Sequence, residues 1–547
     1  MALLRKKINN RIYYYYTETR RINGKPKLVK QVYLGPAEEI YRRFTQATAP
    51  DPLEVEKLSF GGVAALWGEV QRLGLIEAID QVVPQHPNRQ ISVGTYLVVG
   101  AINRAVQPTS KNGVGRWMKR TVLPRMLKLP AEAFDSQSFW DAMDLVEERH
   151  IPLIEERVWE KVLGCYQVLT DVLLYDTTNF ATHLDSLTVA CQLAQPGKSK
   201  DGKDGRRLLG LALACTQGLG LPVLHQVYPG NRHDARLFPQ AITALVERLR
   251  RLNTQTEGVT LVFDKGNNSG PNVQLANGEK LACVGSLKPS HFPRFLQVPL
   301  SRYTERAGEC LLYRTRARVF EAERVVVVVF NPATQKRQAQ TFHRQLELAR
   351  KELERRFRED GPGRAKDEVL AQQYTTYLEK KGLAPYLKVK ITGKRRRKLL
   401  LQPVKRAITS REKTFGKTIL FCDREDWSSQ KIVETYNQKY LCEENFRFLK
   451  ARHYLRFDPV YHWTDQKIRV HALMCVLALL LVKLLLYRLK QEGLELNVNL
   501  LLDELNDIDE VVLMYPEKRV CRKLTKMSSV QARIFAALDL ATYAPSG

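Results

Sequence analysis

The sequence of 547 residues is poor in three things, and each shortage excludes something. Its nine cysteines are scattered from Cys165 to Cys521, and no two form a C-x-x-C pair. An odd, dispersed set excludes a zinc ribbon and a disulfide framework, and suits a reducing cytoplasm. The sequence also lacks an uninterrupted apolar run of the roughly 20 residues a membrane span requires. Its most apolar stretch, Ala472 to Tyr487, contains Lys483 and follows Arg469 and His471. A buried core helix is expected there, and no membrane partner. Met1 to Asn10 is basic without the apolar run of a signal peptide. Finally, acid is short: 58 Asp and Glu stand against 86 Lys and Arg, a formal net charge of +28. Such an excess attracts polyanions, of which nucleic acid is the commonest.

What is present is ample for a folded protein. Apolar residues make up 44% of the chain, enough to bury a core, and the length implies two to four domains. Residues 1–50 read as a basic β-hairpin region: Arg11 to Thr17 with four consecutive tyrosines, a turn at Asn23-Gly24-Lys25, then Leu28 to Leu34. Arg20, Arg21, Lys25, Lys27 and Lys30 crowd it, so it either touches DNA or is a solvated hairpin. Residues 51–160 turn helical, with Leu66, Val70, Leu73 and Ile76 at spacings of three and four. The basic stretch Thr109 to Arg125 makes a helical DNA-binding region the preferred reading.

An α/β pattern follows. Val172 to Phe180, Arg207 to Thr216, Leu221 to Tyr228, Val259 to Phe263 and Leu281 to Leu287 read as strands, with an amphipathic helix from Asp234 to Asn253. Strands, a helix and further strands in that order open a ribonuclease-H-like mixed sheet. Residues 161–290 are therefore taken as the first part of a catalytic core and 421–490 as the second, with a Glu-bearing helix from Ser428 through Ala451 and another over Thr464 to Leu489. Between them, 291–420 is expected to be an inserted β-rich and helical domain containing the basic run Lys394 to Lys398. Residues 491–547 close the chain as a C-terminal helical region.

Three carboxylates carry the expected chemistry. Asp176 follows Leu173-Leu174-Tyr175, and Asp264 follows Leu261-Val262-Phe263. A carboxylate at a buried-type strand costs desolvation unless something pairs it, and adjacent strands would let two such groups share a divalent cation. The third is Glu443. At about 100° per residue, Tyr436, Lys439, Glu443 and Lys450 fall within an arc of roughly 60° on one helix face, with Glu444 pointing elsewhere. Hard oxygen ligands hold Mg²⁺, and two such ions activate an attacking oxygen and stabilise a leaving one. Asp234, at a helix start, is read as a cap, and His233 as structural.

These residues resemble a known family. Tyr436-x2-Lys439-x3-Glu443-x6-Lys450 is similar to the Tyr-x2-Arg/Lys-x3-Glu-x6-Lys signature of one branch of DDE insertion-sequence transposases. Tyr175-Asp176-Thr177-Thr178, Ser199-Lys200-Asp201-Gly202, Gly230-Asn231-Arg232-His233-Asp234 and Asp264-Lys265-Gly266 look like the family too, as does Pro459 to Trp463. The resemblance implies a prokaryotic, cytoplasmic, nucleoid-associated enzyme of cut-and-paste transposition. It implies two Mg²⁺ (or Mn²⁺) ions on Asp176, Asp264 and Glu443, and DNA held by Tyr436, Lys439, Arg447 and Lys450. The implied partners are double-stranded DNA with terminal inverted repeats, target DNA and a second copy of the chain in a homodimer. Hairpin-forming relatives can carry Trp after the second Asp; here Asn267-Asn268 follow Gly266, so either no hairpin is formed or another aromatic such as Phe292 or Trp427 serves. The alternatives are a ribonuclease-H-like nuclease without strand transfer and a non-catalytic DNA-binding protein of the same descent.

Overall fold

The computed structural model describes residues 2–22, 25–46, 52–85, 89–184, 191–197, 206–232, 234–252, 254–360, 366–393, 397–458, 460–516 and 519–545. The Asn23-Gly24 turn, Ser199 to Gly202, His233, Lys394 to Arg396, Pro459 and the side chain of Asp234 lie outside the described residues.

Strands β1 (Ala2–Ile8), β2 (Arg11–Ile22) and β3 (Lys25–Pro36) form an antiparallel meander, followed by helix α1 (Ala37–Gln46). Asn9 and Asn10 join β1 to β2 with φ of 48° and 60°. Two consecutive positive values are what a two-residue hairpin turn of type I′ demands, and asparagine tolerates them. β1 lies outside the sequence expectation, although Asn-Asn between Ile8 and Ile12 is its signal. The tyrosine run alternates across the sheet: Tyr13 and Tyr15 pack on Tyr33, with ring centroids 6.0 and 5.2 Å away. Tyr14 and Tyr16, two-residue neighbours in register with Arg5 and Leu3, take the other face.

Strand β4 (Glu54–Ser59) leads into helices α2 (Gly61–Leu73), α3 (Leu75–Asp80), α4 (Val93–Val106), α5 (Lys111–Met118), α6 (Leu123–Leu127), α7 (Ser136–Asp144) and α8 (His150–Cys165). These helices do not stand apart as a surface module. Their apolar residues belong to the same continuous core as the sheet that follows, and every residue of α4 is buried.

The central sheet combines strands β5 (Val172–Ala181), β6 (Gln195–Pro196), β7 (Arg207–Thr216), β8 (Pro222–Pro229), β9 (Thr260–Phe263), β10 (Ala282–Ser286), β11 (Glu305–Ala307), β12 (Cys310–Val319), β13 (Ala322–Phe330) and β16 (Lys417–Cys422). Among the described residues the order is β11-β12-β13-β16-β10-β9-β5-β7-β6, with β8 on β7. β5, β9 and β10 run parallel and the other pairs antiparallel, so the fold is α/β with a mixed sheet. Helices α9 (Asp234–Arg251), α10 (Gly270–Gly278) and α11 (Pro293–Leu296) lie between its strands in the chain. Of the stretch 291–420 expected as an insertion, β11 to β13 extend this main sheet. The five valines Val325 to Val329 are buried and pair with β16.

A separate apolar core begins only at Phe342, on the 29-residue helix α12 (Pro332–Asp360). Helix α13 (Asp367–Lys380), the hairpin β14 (Leu387–Thr392) and β15 (Lys398–Pro403), and α14 (Lys405–Glu412) close over Leu353, Tyr374, Leu378 and Phe415.

After β16 come α15 (Ser429–Asn437), α16 (Tyr440–Leu449) and α17 (Asp465–Gln491). Among the described residues α17 alone is long and apolar enough to cross a membrane, and 94% of its apolar window is buried inside the protein. It is the core helix expected from the sequence. α4 crosses it closely: a Cβ at Gly100 would lie 2.5 Å from Met474 Sδ, so any larger residue there requires the Met474 side chain to shift. The C-terminal stretch is not purely helical. Between α18 (Val498–Asn506) and α19 (Ser529–Ala537), strands β17 (Asp509–Met514) and β18 (Val520–Leu524) form a hairpin that pairs with β4, tying the two ends of the chain together.

The basic stretch of α5 is divided by this packing. Arg116, Lys119 and Arg120 are exposed, whereas Lys111 is buried against the Phe139 ring (4.9 Å) and Met474 Sδ (3.7 Å). Among the described residues no carboxylate lies within ion-pair distance of it. Burial, with the Arg104 charge behind it, pushes the ammonium down to about 7. The unfolded chain therefore binds a proton more readily, and wild-type stability rises with pH from about 7 to about 10.5. Lys111→Met is expected to raise stability by about 1–4 kcal/mol. Thermal unfolding should show the gain greatest below pH 7 and fading as pH climbs through that window.

Candidate active site

The two aspartates follow the paired stretches of neighbouring strands. β5 and β9 pair in parallel with Val172 opposite Thr260 and Tyr175 opposite Phe263. The next residues along the two strands are Asp176, still within β5, and Asp264, the first residue past β9. Asp176 sits midway along β5, half-buried, and accepts the Thr177 N–H at 2.8 Å. Asp264 is the first residue past β9, where the chain leaves the sheet. The loop after it is fixed by its two asparagines. Asn268 donates its amide to the Ser286 carbonyl, and the Asn267 carbonyl accepts from Asn272 Nδ2 at 2.9 Å. Asn267 and Asn268 are both buried, so they anchor this loop and offer no surface to a ligand.

The helix expected from Ser428 through Ala451 is two helices. Ser428 caps α15 by accepting the Lys431 N–H, as expected, but the ladder tightens at its end. Lys439, Leu441 and Cys442 donate three residues back, to Tyr436, Gln438 and Lys439. The turn between β7 and β8 holds this break: the Gly218 N–H reaches Gln438 Oε1 at 2.8 Å, and Asn445 Nδ2 reaches the Gly220 carbonyl at 2.8 Å. The break notwithstanding, Lys439 stays close to both Tyr436, with Nζ 5.6 Å from its ring centroid, and Glu443. Tyr436 and Lys439 lie at the break, Glu443 on the first turn of α16, and Lys450 at its end with Nζ 5.5 Å from the Phe180 ring centroid.

Around Asp264 the contacts are direct. The Tyr436 hydroxyl donates to Asp264 Oδ1 at 3.1 Å. Lys439 Nζ lies 3.7 Å from that same oxygen and 3.1 Å from Glu443 Oε1. The two carboxylate oxygens are therefore no farther apart than the sum of those distances. Burial raises the Asp264 carboxyl, but the Lys439 charge and the Lys265 amide more than offset it and hold the group below the usual range. Burial and the Asp264 charge push the Tyr436 phenol up to about 12, with Ser286 opposing. α16 also lies against β5: the Cys442 thiol donates to the Leu174 carbonyl at 3.3 Å, and Cys215, burial and the Asp176 charge push it upward. Ser286 and Cys442 have no motif to mark them; sheet and helix packing brings them in.

The remaining expected residues divide. Arg447 is exposed and pairs with Glu444 at 3.1 Å, while Glu444 also reaches the buried Lys483 of α17 at 3.3 Å. Trp427 is buried, with Lys431 Nζ 4.3 Å from its ring centroid, and Phe292 packs on Phe295 and Phe320. Among the described residues no three His, Cys, Asp or Glu side chains are arranged to hold a metal ion. At this site an ammonium, Lys439, stands between two of the carboxylates.

No protein-family model matches the chain, and no curated protein matches it. Among solved structures it is similar to a piggyBac transposase synaptic complex with hairpin DNA, determined by cryo-electron microscopy. That match has 9% identity and a TM-score of 0.38, over 88% of this chain and 82% of that one.

Proposed function

We propose that the chain is a DNA transposase that cleaves and joins phosphodiester bonds at the inverted-repeat ends of an insertion sequence, by a cut-and-paste route. The observation that carries this reading is the Lys439 ammonium bridging Asp264 and Glu443, with Asp176 and Asp264 each directly following the paired stretches of the parallel neighbours β5 and β9. The motif from Tyr436 to Lys450 supports it, and so does the net charge of +28.

All three groups are hard carboxylate oxygens, the kind that Mg²⁺ or Mn²⁺ takes, but among the described residues they are not arranged to hold an ion, and Lys439 stands between two of them. Asp176, Asp264 and Glu443 would hold two such ions, which supply Lewis-acid activation of the attacking oxygen and stabilisation of the leaving one. The protein's own residues do the rest. Lys439 neutralises Asp264 and Glu443, and its ammonium would be available to a substrate phosphate if a metal took its place between them. Tyr436 holds Asp264 in place by its hydroxyl. Lys450 and Arg447 reach DNA farther along α16, and the basic residues 1–160 bind the repeat through phosphate contacts, in a homodimer that pairs two ends.

The test is incubation of the full chain with labelled DNA carrying the inverted repeats that flank its coding sequence, in Mg²⁺. Cut ends bearing 3′-hydroxyls, followed by joined products on target DNA, are expected. Cutting without joining reduces the reading to a nuclease, and binding without cutting removes the enzyme altogether.

A further inference from the structure

Beside the carboxylates a cavity of about 910 Å³ opens between the main sheet and the α12–α14 unit. Asp264, Tyr436 and Lys439 form one end, and Arg337 of α12 and Arg411 of α14 line the other. Its ionic lining is five cations, Lys265, Arg337, Arg411, Lys417 and Lys439, against the single carboxylate of Asp264.

Two of these cations are already engaged. Lys439 serves Asp264 and Glu443, and Lys417 Nζ donates to the carbonyls of Leu296 and Val298 at 2.6 and 2.8 Å. The other three, Lys265, Arg337 and Arg411, are exposed. Among the described residues none has a carboxylate within ion-pair distance. Toward the far end of the same helix, Arg355 and Arg356 both pair with Glu352. Crowding unmatched cations around one concavity opposes folding, because like charges repel. A polyanion bound there removes the penalty. The Arg411 guanidinium is also pre-positioned over the Phe415 ring, 5.5 Å from its centroid, which lowers the entropy cost of gripping a phosphate. Gln338, Thr341 and Gln345 add amide and hydroxyl groups to the same wall.

We infer that this groove seats the phosphodiester backbone of the DNA strand leading to the scissile phosphate at Asp264, with Arg337 and Arg411 as its phosphate anchors. The α12–α14 unit is then a clamp facing the carboxylates. This rests on the transposase reading for the identity of the strand, but its test does not depend on catalysis.

The experiment measures binding of a fluorescein-labelled DNA duplex of arbitrary sequence across a salt series, with Ca²⁺ in place of Mg²⁺ to prevent cutting. Arg337→Ala with Arg411→Ala in the full chain is expected to reduce the slope of log affinity against log salt by roughly 1 per residue removed. Arg337→Lys with Arg411→Lys should retain the slope. Arg350→Ala with Lys405→Ala, which removes two charges from the same helices outside the groove, should leave it unchanged. An iron chelate tethered at Thr341→Cys should cut the bound DNA. Equal slopes for the groove variant and the parent overturn the inference, as do equal losses for both alanine pairs or absence of tethered cutting. A slope loss alongside an Asp264→Asn protein that still cleaves keeps the groove and discards the carboxylates. An unchanged slope alongside an inactive Asp264→Asn protein does the reverse.

Discussion

Asp264→Asn is expected to leave the fold and DNA binding intact while slowing Mg²⁺-dependent cleavage by about a thousandfold or more. The substitution is close to isosteric and the position is only half-buried, so packing changes little. What it removes is the charge that Lys439 balances at 3.7 Å and one of three carboxylates proposed to hold metal. Loss of several kcal/mol of transition-state stabilisation corresponds to that factor, since each 1.36 kcal/mol is tenfold in rate. DNA affinity in Ca²⁺ should hold or rise, because the cavity beside Asp264 loses its only lining carboxylate. Gel assays of labelled ends decide the matter: cleavage by the variant at the parental rate would remove Asp264 from the chemistry.

A large loss of stability is expected from Arg248→Met, far from the carboxylates. Glu155 of α8 is buried and accepts from His225 Nδ1 at 2.6 Å and from Arg248 Nη2 at 3.1 Å. Arg248 also donates to the Val223 and Pro152 carbonyls, nailing α9 to β8 and α8. Burial raises the Glu155 carboxyl, but His225 and Arg248 overcome it and leave the group below its ordinary range. Its stabilising contribution is therefore present above the ordinary glutamate range and lost as pH falls through the depressed value. Removing Arg248 leaves a buried carboxylate short of a partner, at a cost of about 3–5 kcal/mol. The carboxyl then moves upward, so the variant's deficit should be larger at pH 7 than at pH 4. Glu155→Gln in the Arg248→Met background should recover part of the loss. Denaturant unfolding at the two pH values measures this, and an equal deficit at both would show that Glu155 is not the cause.

Some of the site was legible in the chain. Asp176 and Asp264 stood out because a carboxylate at an apolar strand calls for a partner, and the spacing from Tyr436 to Lys450 is a pattern in one dimension. The helix break between Gln438 and Lys439 was not legible. Both residues are good helix formers, and the break is accompanied by a contact from Gly218, 220 residues earlier, to the Gln438 side chain. The N-terminal strand β1 was signalled by Asn9-Asn10, a local turn requirement. The destination of Val325 to Val329 was not, since an apolar strand does not state which sheet it will join. Charge counting had the same limit in α5, where Lys111 points inward and its basic neighbours outward.

By itself the sequence determined the excess of positive charge, the apolar strands and helices and the buried nature of α17, and it singled out the three carboxylates proposed for the chemistry. Those follow from residue type and short-range periodicity. Only the tertiary structure decided that β5 and β9, the strands leading to Asp176 and Asp264, are parallel neighbours, that Lys439 stands between Asp264 and Glu443, and that Arg337 of α12 and Arg411 of α14 line the same cavity. Each of these is a relation between groups far apart in the chain, set by strand pairing and packing.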